Sequence, residues 1–256
     1  MSGYYVSYLC RMKIFKKDPF GYNIFVKDLL IKTLGLLSYR RFRGINNLKI
    51  SGSEIIKKLP KQNVLFIANH HTYFLDVTAM IHVFNASLNN RKNSLKNISY
   101  LKKLKSNIYF IAEKETMTKG FFTKILAYTG AILISRTWKS KGKSINRPIN
   151  TKDVEKINKA LEDGWLITFP QGTTKNWAPI RKGTAYIIKK NKPIIIPITI
   201  KGFRDAFDKT GLKLIKRGVE ISLTIKDPLQ VNFKKESIEQ ITEKISMAIE
   251  QHDSFR

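Results

Sequence analysis

Residues 63–76 read NVLFIANHHTYFLD, an uninterrupted apolar run followed by a polar turn that contains two adjacent histidines. Asn63–Ala68 has the length of one strand, and such a run is typical of a strand buried on both faces, as in a parallel sheet. Asp76–Phe84 is predicted to form the helix that follows. A buried strand that leads directly into a helix indicates an α/β fold.

Strands and helices alternate through the rest of the chain. The predicted strands are Ile45–Ser51, Ile108–Ala112, Ala131–Ser135, Trp165–Phe169, Pro193–Ile200 and Val219–Ile225. The predicted helices are Thr118–Thr129, Asp153–Glu162, Thr184–Lys190 and Glu236–Gln251. Because Pro197 cannot donate a ladder hydrogen bond, its strand is expected at a sheet edge or with a bulge. The polar, basic stretch Asn89–Lys105 is predicted to be a loop or an exposed helix, and Lys139–Asn150 a loop. The alternation predicts a layered sheet with helices on its faces and functional residues in the loops at its strand ends.

The chain is strongly basic. Its 256 residues include 47 Lys and Arg against 19 Asp and Glu, which gives a formal net charge of +28. A field of this sign attracts nucleic acid, anionic lipid headgroups, phosphorylated substrates or acidic proteins. A genome of biased composition would also produce a lysine excess, so the charge alone does not name the partner. The single cysteine, Cys10, excludes an internal disulfide and a cysteine-based metal cluster.

Tyr22–Tyr39 is the stretch closest to a membrane span, but Lys27, Asp28 and Lys32 interrupt it. No part of the chain has the run of about eighteen uncharged apolar residues that a span requires. The apolar residues recur at roughly helical spacing, and three arginines follow within residues 40–43. Such a helix lies in the plane of a membrane interface or packs on the protein's own core. We predict an N-terminal membrane-interface segment at residues 1–44, with an amphipathic helix, and one α/β domain at 45–256.

The turn after the first buried strand holds the residues best suited to acid–base chemistry. An aspartate a few residues after a histidine can accept a hydrogen bond from one ring nitrogen, which leaves the other nitrogen as a base. His70 or His71 would form this pair with Asp76, whose place near a helix N-terminus favours the ionised carboxylate. A structural turn and a metal site with these three residues as ligands are the alternatives. Adjacent histidines in an extended segment point to opposite sides, which counts against the metal site.

Two further segments have the residue types of an anion-binding site. The loop Phe169-Pro170-Gln171-Gly172-Thr173-Thr174 follows a predicted strand, and peptide N–H groups around its glycine are able to cradle an anion. Arg181-Lys182-Gly183-Thr184 opens the next helix, where basic side chains beside helix N–H groups suit phosphate. A third segment, Gly130–Arg136, is a strand that ends on an arginine. Each of these signals is weak by itself.

In this order and spacing, the segments resemble the glycerolipid acyltransferase family, to which the bacterial 1-acylglycerol-3-phosphate acyltransferases belong. The resemblance covers about Ser51 to Gly202. It rests on the Asn-His-Asp turn, on a Gly-x-Ile-x-Ile-x-Arg strand at Gly130–Arg136, and on the apolar strand around Pro197. It also rests on the loop Phe169–Thr174, which differs at two positions from the Phe-Pro-Glu-Gly-Thr-Arg of the family. Lys182-Gly183 matches the Lys-Gly pair that follows the loop.

The chain departs from the family pattern at three places. His71 keeps the usual gap to Asp76, whereas His70 keeps the Asn-His dipeptide, and we favour His70 slightly. Gln171 replaces the usual glutamate, which removes a negative charge. Thr174 replaces the usual arginine and so removes a phosphate ligand, for which Arg136, Lys182, Lys175 or Arg181 would compensate.

The resemblance implies a function for the chain. The protein would transfer a fatty acyl group from acyl-CoA or acyl carrier protein to the hydroxyl of a lysophospholipid, such as 1-acylglycerol 3-phosphate, in phospholipid biosynthesis. A histidine, His70 or His71, paired with Asp76 would be the general base that takes the proton of this hydroxyl. The resemblance also implies a substrate site formed by Arg136, Phe169, Pro170, Gln171, Gly172, Thr173 and Lys182. No metal or organic cofactor is implied. The expected location is the cytoplasmic face of the inner membrane, held peripherally on its anionic surface.

Two other readings of the sequence remain open. A nucleic-acid-binding protein would explain the charge, but it would not explain the histidine–aspartate turn, and no nucleic-acid-binding signature is present. A catalytically weakened, lipid-binding relative of the acyltransferases is the second, because Gln171 and Thr174 depart from the pattern.

Overall fold

A computed structural model of the chain describes residues 15–135, 139–140, 143–144 and 150–256. The strands in this part are β1 Asn47–Ser51, β2 Val64–Ala68, β3 Ile108–Glu113, β4 Ala131–Ile134, β5 Lys139–Ser140, β6 Lys143–Ser144, β7 Trp165–Thr168, β8 Ile194–Lys201 and β9 Glu220–Ile225. The α-helices are α1 Ile24–Phe42, α2 Leu75–Leu88, α3 Lys114–Met117, α4 Phe121–Tyr128, α5 Thr151–Asp163, α6 Lys182–Asn191, α7 Phe203–Ala206 and α8 Ile238–Ala248. Short 3-10 helices lie at Ser53–Lys58, Ile98–Lys102 and Asp253–Phe255.

Within the described residues, seven strands form one sheet in the order β1-β9-β8-β2-β7-β3-β4. All neighbouring pairs are parallel except β8 and β9, which are antiparallel. The carboxyl ends of β2, β3, β4, β7 and β8 therefore lie along one edge of the sheet. In open sheets of this kind, loops at that edge form the ligand-binding crevice.

The central strand β2 explains why the sheet has helices on both faces. All five of its residues are buried. Val64, Phe66 and Ala68 pack with α2 in one core, whereas Leu65 and Ile67 pack with α5, α6 and α8 in the other. The predicted α/β class and layered architecture are confirmed.

Pro197 is not on an edge strand, so of the two expectations from the sequence, an edge strand or a bulge, the first is wrong. It lies in β8, between β2 and β9, opposite Ile67. Its carbonyl accepts a hydrogen bond from the backbone N–H of Lys226, the residue that follows β9. The nitrogen of Pro197 therefore lies beside the point where β9 ends, and the sheet needs no donor there. Asn89–Lys105 is irregular chain with one 3-10 helix, and most of Lys139–Asn150 lies outside the described residues.

Helix α1 exposes a face of apolar side chains, although it buries Ile31 and Phe42 together with several polar residues. Its outward side chains are 39% to 73% exposed at Phe25, Val26, Leu29, Leu36 and Leu37. Lys27 and Ser38 are buried instead, and Lys27 forms an ion pair with Asp18 at 3.2 Å. In the described part of the chain, no helix has both the length and the apolar character needed to cross a membrane.

Candidate active site

Three adjacent strands bring the candidate residues together. The His70–Asp76 turn follows β2, the Gly172 loop follows β7 and α7 follows β8, and these strands are neighbours in the sheet. His70 and Phe169 are 99 positions apart in the sequence, yet their rings stack with centroids 3.9 Å apart.

Asp76 is the buried centre of the turn. Its Oδ2 atom lies 2.9 Å from Nδ1 of His70 and also accepts the backbone N–H of His71 at 2.6 Å. Oδ1 accepts the hydroxyl of Thr72 at 2.7 Å. Burial alone would raise the pKa of Asp76, but the hydrogen bonds from His70 and Thr72 outweigh it and lower the pKa below its ordinary value. The carboxylate is thus ionised and accepts hydrogen bonds through both oxygens.

The ring of His70 is held on two sides and open on a third. Asp76 binds Nδ1, and Phe169 packs against the face of the ring. No described residue is hydrogen-bonded to Nε2, and His70 lines a large cavity. If Asp76 accepts the Nδ1 proton, Nε2 carries a lone pair directed away from the carboxylate.

His71 has a different environment. Its Nε2 atom lies 3.2 Å from Nδ2 of Asn69, which is itself anchored to the backbone of Ile200 by two hydrogen bonds. Its Nδ1 atom is buried without a partner among the described residues. Burial is the main cause that lowers the pKa of His71 to about 4. His71 is therefore neutral near pH 7, and it is not among the residues that line the cavity.

The loop after β7 turns at Gly172, whose φ of +63° is in the left-handed region. Its N–H closes the turn on the carbonyl of Phe169 at 2.9 Å. Phe169, Pro170, Gly172 and Thr173 all line the cavity.

Gln171, in the same loop, does not line the cavity. Its side chain is buried, and its Nε2 donates to the carbonyl of Ala178 at 3.0 Å and to Oε1 of Gln251 at 2.9 Å. The same oxygen of Gln251 accepts the N–H of Trp177 at 3.1 Å. A glutamate could not donate these bonds, so the amide at position 171 matches its neighbours. These contacts shape the loop and differ from the substrate contact expected from the sequence.

Two of the basic residues predicted to bind phosphate, Arg181 and Lys182, line the cavity. Lys182 lines the cavity at the start of α6 and forms an ion pair with Glu239 at 2.7 Å. Arg181 also lines the cavity, and its N–H donates to the carbonyl of Pro170. Arg136 lies outside the described residues, although the neighbouring Ser135 is at the cavity wall.

Arg204 is a site residue that sequence reasoning missed. It lies on α7, and its Nη2 donates to the carbonyl of His70 at 2.7 Å and to the carbonyl of Thr174. The family pattern has an arginine at position 174. Here a guanidinium contacts the backbone of Thr174, but it belongs to Arg204 on α7, which follows β8. In the sequence, Arg204 is distinguished only as a basic residue just after the apolar strand around Pro197.

The cavity beside His70 has a volume of about 690 Å³. One part is apolar and follows α2, with walls that include Ile31, Phe74, Val77, Ile81 and Leu101. The other part is polar and extends along the loop of Gly172 and the start of α6. Across the part of the chain that the structure describes, no group of three or more His, Cys, Asp or Glu side chains is placed to hold a metal ion.

The fold and this site define the class of the protein. The sequence model of the family described as Acyltransferase matches residues 47–201, more than half of the chain, and the chain belongs to that family. The structure is similar to the crystal structure of the 1-acyl-sn-glycerophosphate (LPA) acyltransferase, PlsC, from Thermotoga maritima. The TM-score is 0.57, with 16% identity over 96% of this chain and 86% of that chain. At this identity the likeness shows a shared fold. No curated protein matches the sequence.

Proposed function

We propose that this acyltransferase moves a fatty acyl group from a thioester to the hydroxyl of a lysophospholipid such as 1-acylglycerol 3-phosphate, with His70 as the general base. One observation carries the proposal. His70 is bound to a buried, ionised Asp76 through Nδ1, and it lines a cavity whose wall has apolar residues of α2 and polar residues of the Gly172 loop and α6. The two substrates offer the matching groups, the acyl chain of the donor for the apolar part and the phosphate headgroup of the acceptor for the polar part.

The reaction needs one proton acceptor. Nε2 of His70 takes the proton of the acceptor hydroxyl as its oxygen bonds to the thioester carbonyl carbon. The carbon–sulfur bond then breaks, and the leaving thiolate takes the proton to become a free thiol. Asp76 orients the ring and stabilises the imidazolium. Base catalysis of this kind contributes about 10²–10⁴-fold, and positioning of both substrates supplies much of the remainder.

The apolar part of the cavity suits an acyl chain. It follows α2 from Phe74 to His82, and the eight steps of 1.5 Å between these residues span about 12 Å. Gly35 lies at the far end, where an added Cβ would approach Leu101 to 2.8 Å. An acyl chain in this groove would thus end against α1.

The polar part suits a phosphate. Gly172, Thr173, Arg181 and Lys182 border it, and a left-handed turn beside a helix N-terminus offers peptide N–H groups to an anion. We assign Arg136 to the same subsite from the sequence pattern. The donor, acyl-CoA or acyl carrier protein, is acidic, and the net charge of +28 favours its approach.

We further propose that residues 1–44 hold the enzyme on a membrane, at the cytoplasmic face of the inner membrane. The exposed apolar face of α1 supports this, because apolar side chains of this size on one helical face are typical of an interfacial helix. Phe121 and Phe122 are 81% and 42% exposed at the start of α4, between the exposed Lys119 and Lys124. Both helices also wall the apolar part of the cavity, through Ile31 and Leu126.

Thioester consumption by the purified protein tests the proposal. Acyl-CoA and acyl carrier protein are offered as donors with a panel of lysolipids. We expect consumption that depends on one acceptor, a loss of about 10²–10⁴-fold in His70→Gln, and a change of less than about tenfold in His71→Gln.

Equal losses in the two histidine variants would contradict the assignment of His70. Lysolipid binding without turnover would instead identify a lipid-binding relative. Binding to DNA that weakens steeply with salt, again without turnover, would identify a nucleic-acid-binding protein.

A further inference from the structure

We propose that Arg204 is a positioning residue, which fixes His70 against the Gly172 loop by joining the ends of three strands. The proposal rests on the proposed acyl transfer, because it gives Arg204 a role in that reaction. Its basis is the pair of hydrogen bonds from Nη2 to the carbonyls of His70 and Thr174.

The order of the strands gives these two bonds their effect. Arg204 follows β8, His70 follows β2 and Thr174 follows β7, and β2 lies between the other two. Backbone pairing ends at Ala68 in β2 and at Thr168 in β7. Beyond those residues the two loops have no sheet hydrogen bonds to hold them together. The guanidinium spans this gap, and its charge strengthens both bonds.

The same chain connection supports the turn from a second side. The N–H groups of Tyr73 and Phe74 donate to the carbonyls of Lys209 and Thr210 at 3.0 and 3.1 Å. These acceptors belong to the segment between β8 and β9, as does Arg204. The connection between β8 and β9 is thus hydrogen-bonded to the turn that contains the base at three of its residues, His70, Tyr73 and Phe74.

Arg204 acts on the site without contacting substrate. It does not line the cavity, whereas His70, Phe169 and Thr173 do. Its neighbours also respond to its charge. Burial mainly lowers the pKa of His71, and the positive charge of Arg204 acts in the same direction. The ion therefore helps to keep the buried histidine neutral beside the base.

Kinetics of Arg204→Met and Arg204→Lys test the role, with Arg217→Met as the matched control that removes an exposed arginine outside the site. Because a misplacement of about 1 Å costs about 100-fold, we expect kcat to fall about 100-fold in Arg204→Met. KM for donor and acceptor should change less than about threefold. Arg204→Lys, which keeps the charge and one donor group and is the safer variant for folding, should recover about tenfold of the loss.

Hydrogen–deuterium exchange gives a readout that needs no activity, so it separates this proposal from the proposed function. In Arg204→Met, peptides covering residues 69–76 and 170–177 should exchange faster together, with no change in Arg217→Met. Unchanged exchange in both segments would overturn the proposal, even for a protein without acyl transfer. A kcat within threefold of the parent, or a loss confined to KM, would also overturn it.

Discussion

Oγ of Ser38 lies 3.0 Å from Nε2 of His82, which joins α1 to α2 at the far end of the cavity. The same hydroxyl donates to the carbonyl of Leu34 at 2.8 Å, so it accepts a hydrogen bond from the N–H group at Nε2. Nδ1 of His82 then accepts the hydroxyl of Tyr100 at 2.7 Å. The buried histidine is neutral, and both of its ring nitrogens have a hydrogen-bond partner. Helix α1 is therefore part of the cavity wall as well as an outer surface.

Stability should depend on the protonation of His82. Burial lowers its pKa to about 4, whereas the unfolded chain titrates near 6.5. As the pH falls, the unfolded state binds a proton at His82 before the folded state does. The contribution of His82 to the free energy of unfolding is therefore constant above about pH 6.5 and decreases between about pH 6.5 and 4. The full effect is on the order of 3 kcal/mol.

Urea unfolding at several pH values from 7.5 to 4.5 measures this slope. Gln at position 82 offers one donor and one acceptor but does not titrate. His82→Gln should therefore reduce the slope, whereas the contributions of His71 and of carboxylates with a lowered pKa, such as Asp76, remain. An unchanged slope in His82→Gln would mean that His82 does not titrate with folding.

The length of the acyl chain should depend on Leu101. This residue is buried at the end of the apolar groove, against Gly35. Leu101→Ala removes part of that end wall, so the preferred thioester should become longer, at a cost of about 2–5 kcal/mol in stability. Initial rates with a series of saturated acyl-CoA donors measure the preference. Leu223→Ala, in the core outside the cavity, controls for destabilisation, and the same shift in that variant would disprove the assignment.

Asp76→Asn should abolish most turnover while KM stays nearly constant. Oδ2 of Asp76 accepts from Nδ1 of His70 and from the N–H groups of His71 and Thr72, while Oδ1 accepts from the N–H and hydroxyl of Thr72. In either orientation, the asparagine turns a donor amide toward one of these two sets of donors, and it lacks the negative charge that stabilises the imidazolium. We expect kcat to fall about 10²–10⁴-fold. Steady-state kinetics on protein shown to be folded by circular dichroism measures this. A variant with near-parental kcat would exclude the pair from the chemistry.

Membrane binding should depend on the outward face of α1. Leu36 and Leu37 are 57% and 73% exposed, and burial of one leucine side chain contributes about 1.5–3 kcal/mol. Leu36→Ser with Leu37→Ser should weaken binding to anionic vesicles at least tenfold. Sedimentation with vesicles of phosphatidylglycerol and phosphatidylcholine measures it, and Met247→Ser, on α8, is the matched control. Equal binding by the double variant and the control would remove α1 from the membrane contact.

The sequence by itself determined the fold class and the seven strands of the main sheet. The run at Val64–Ala68 is apolar at every position, and this pattern fits a strand buried on both faces whatever its neighbours are. The turn after it carries His70 and Asp76 within one local segment, so their meeting required no knowledge of the remaining chain.

Tertiary structure decided what sequence spacing left open. His70 and His71 have equivalent positions in the sequence, but only packing puts His70 on Phe169 and buries His71 beside Asn69. Arg204 joins the site because β8, β2 and β7 are adjacent, an order that local sequence does not encode. Local patterns set the elements because hydrophobic periodicity is a property of neighbouring residues, whereas the site depends on contacts between strands that are distant in the chain.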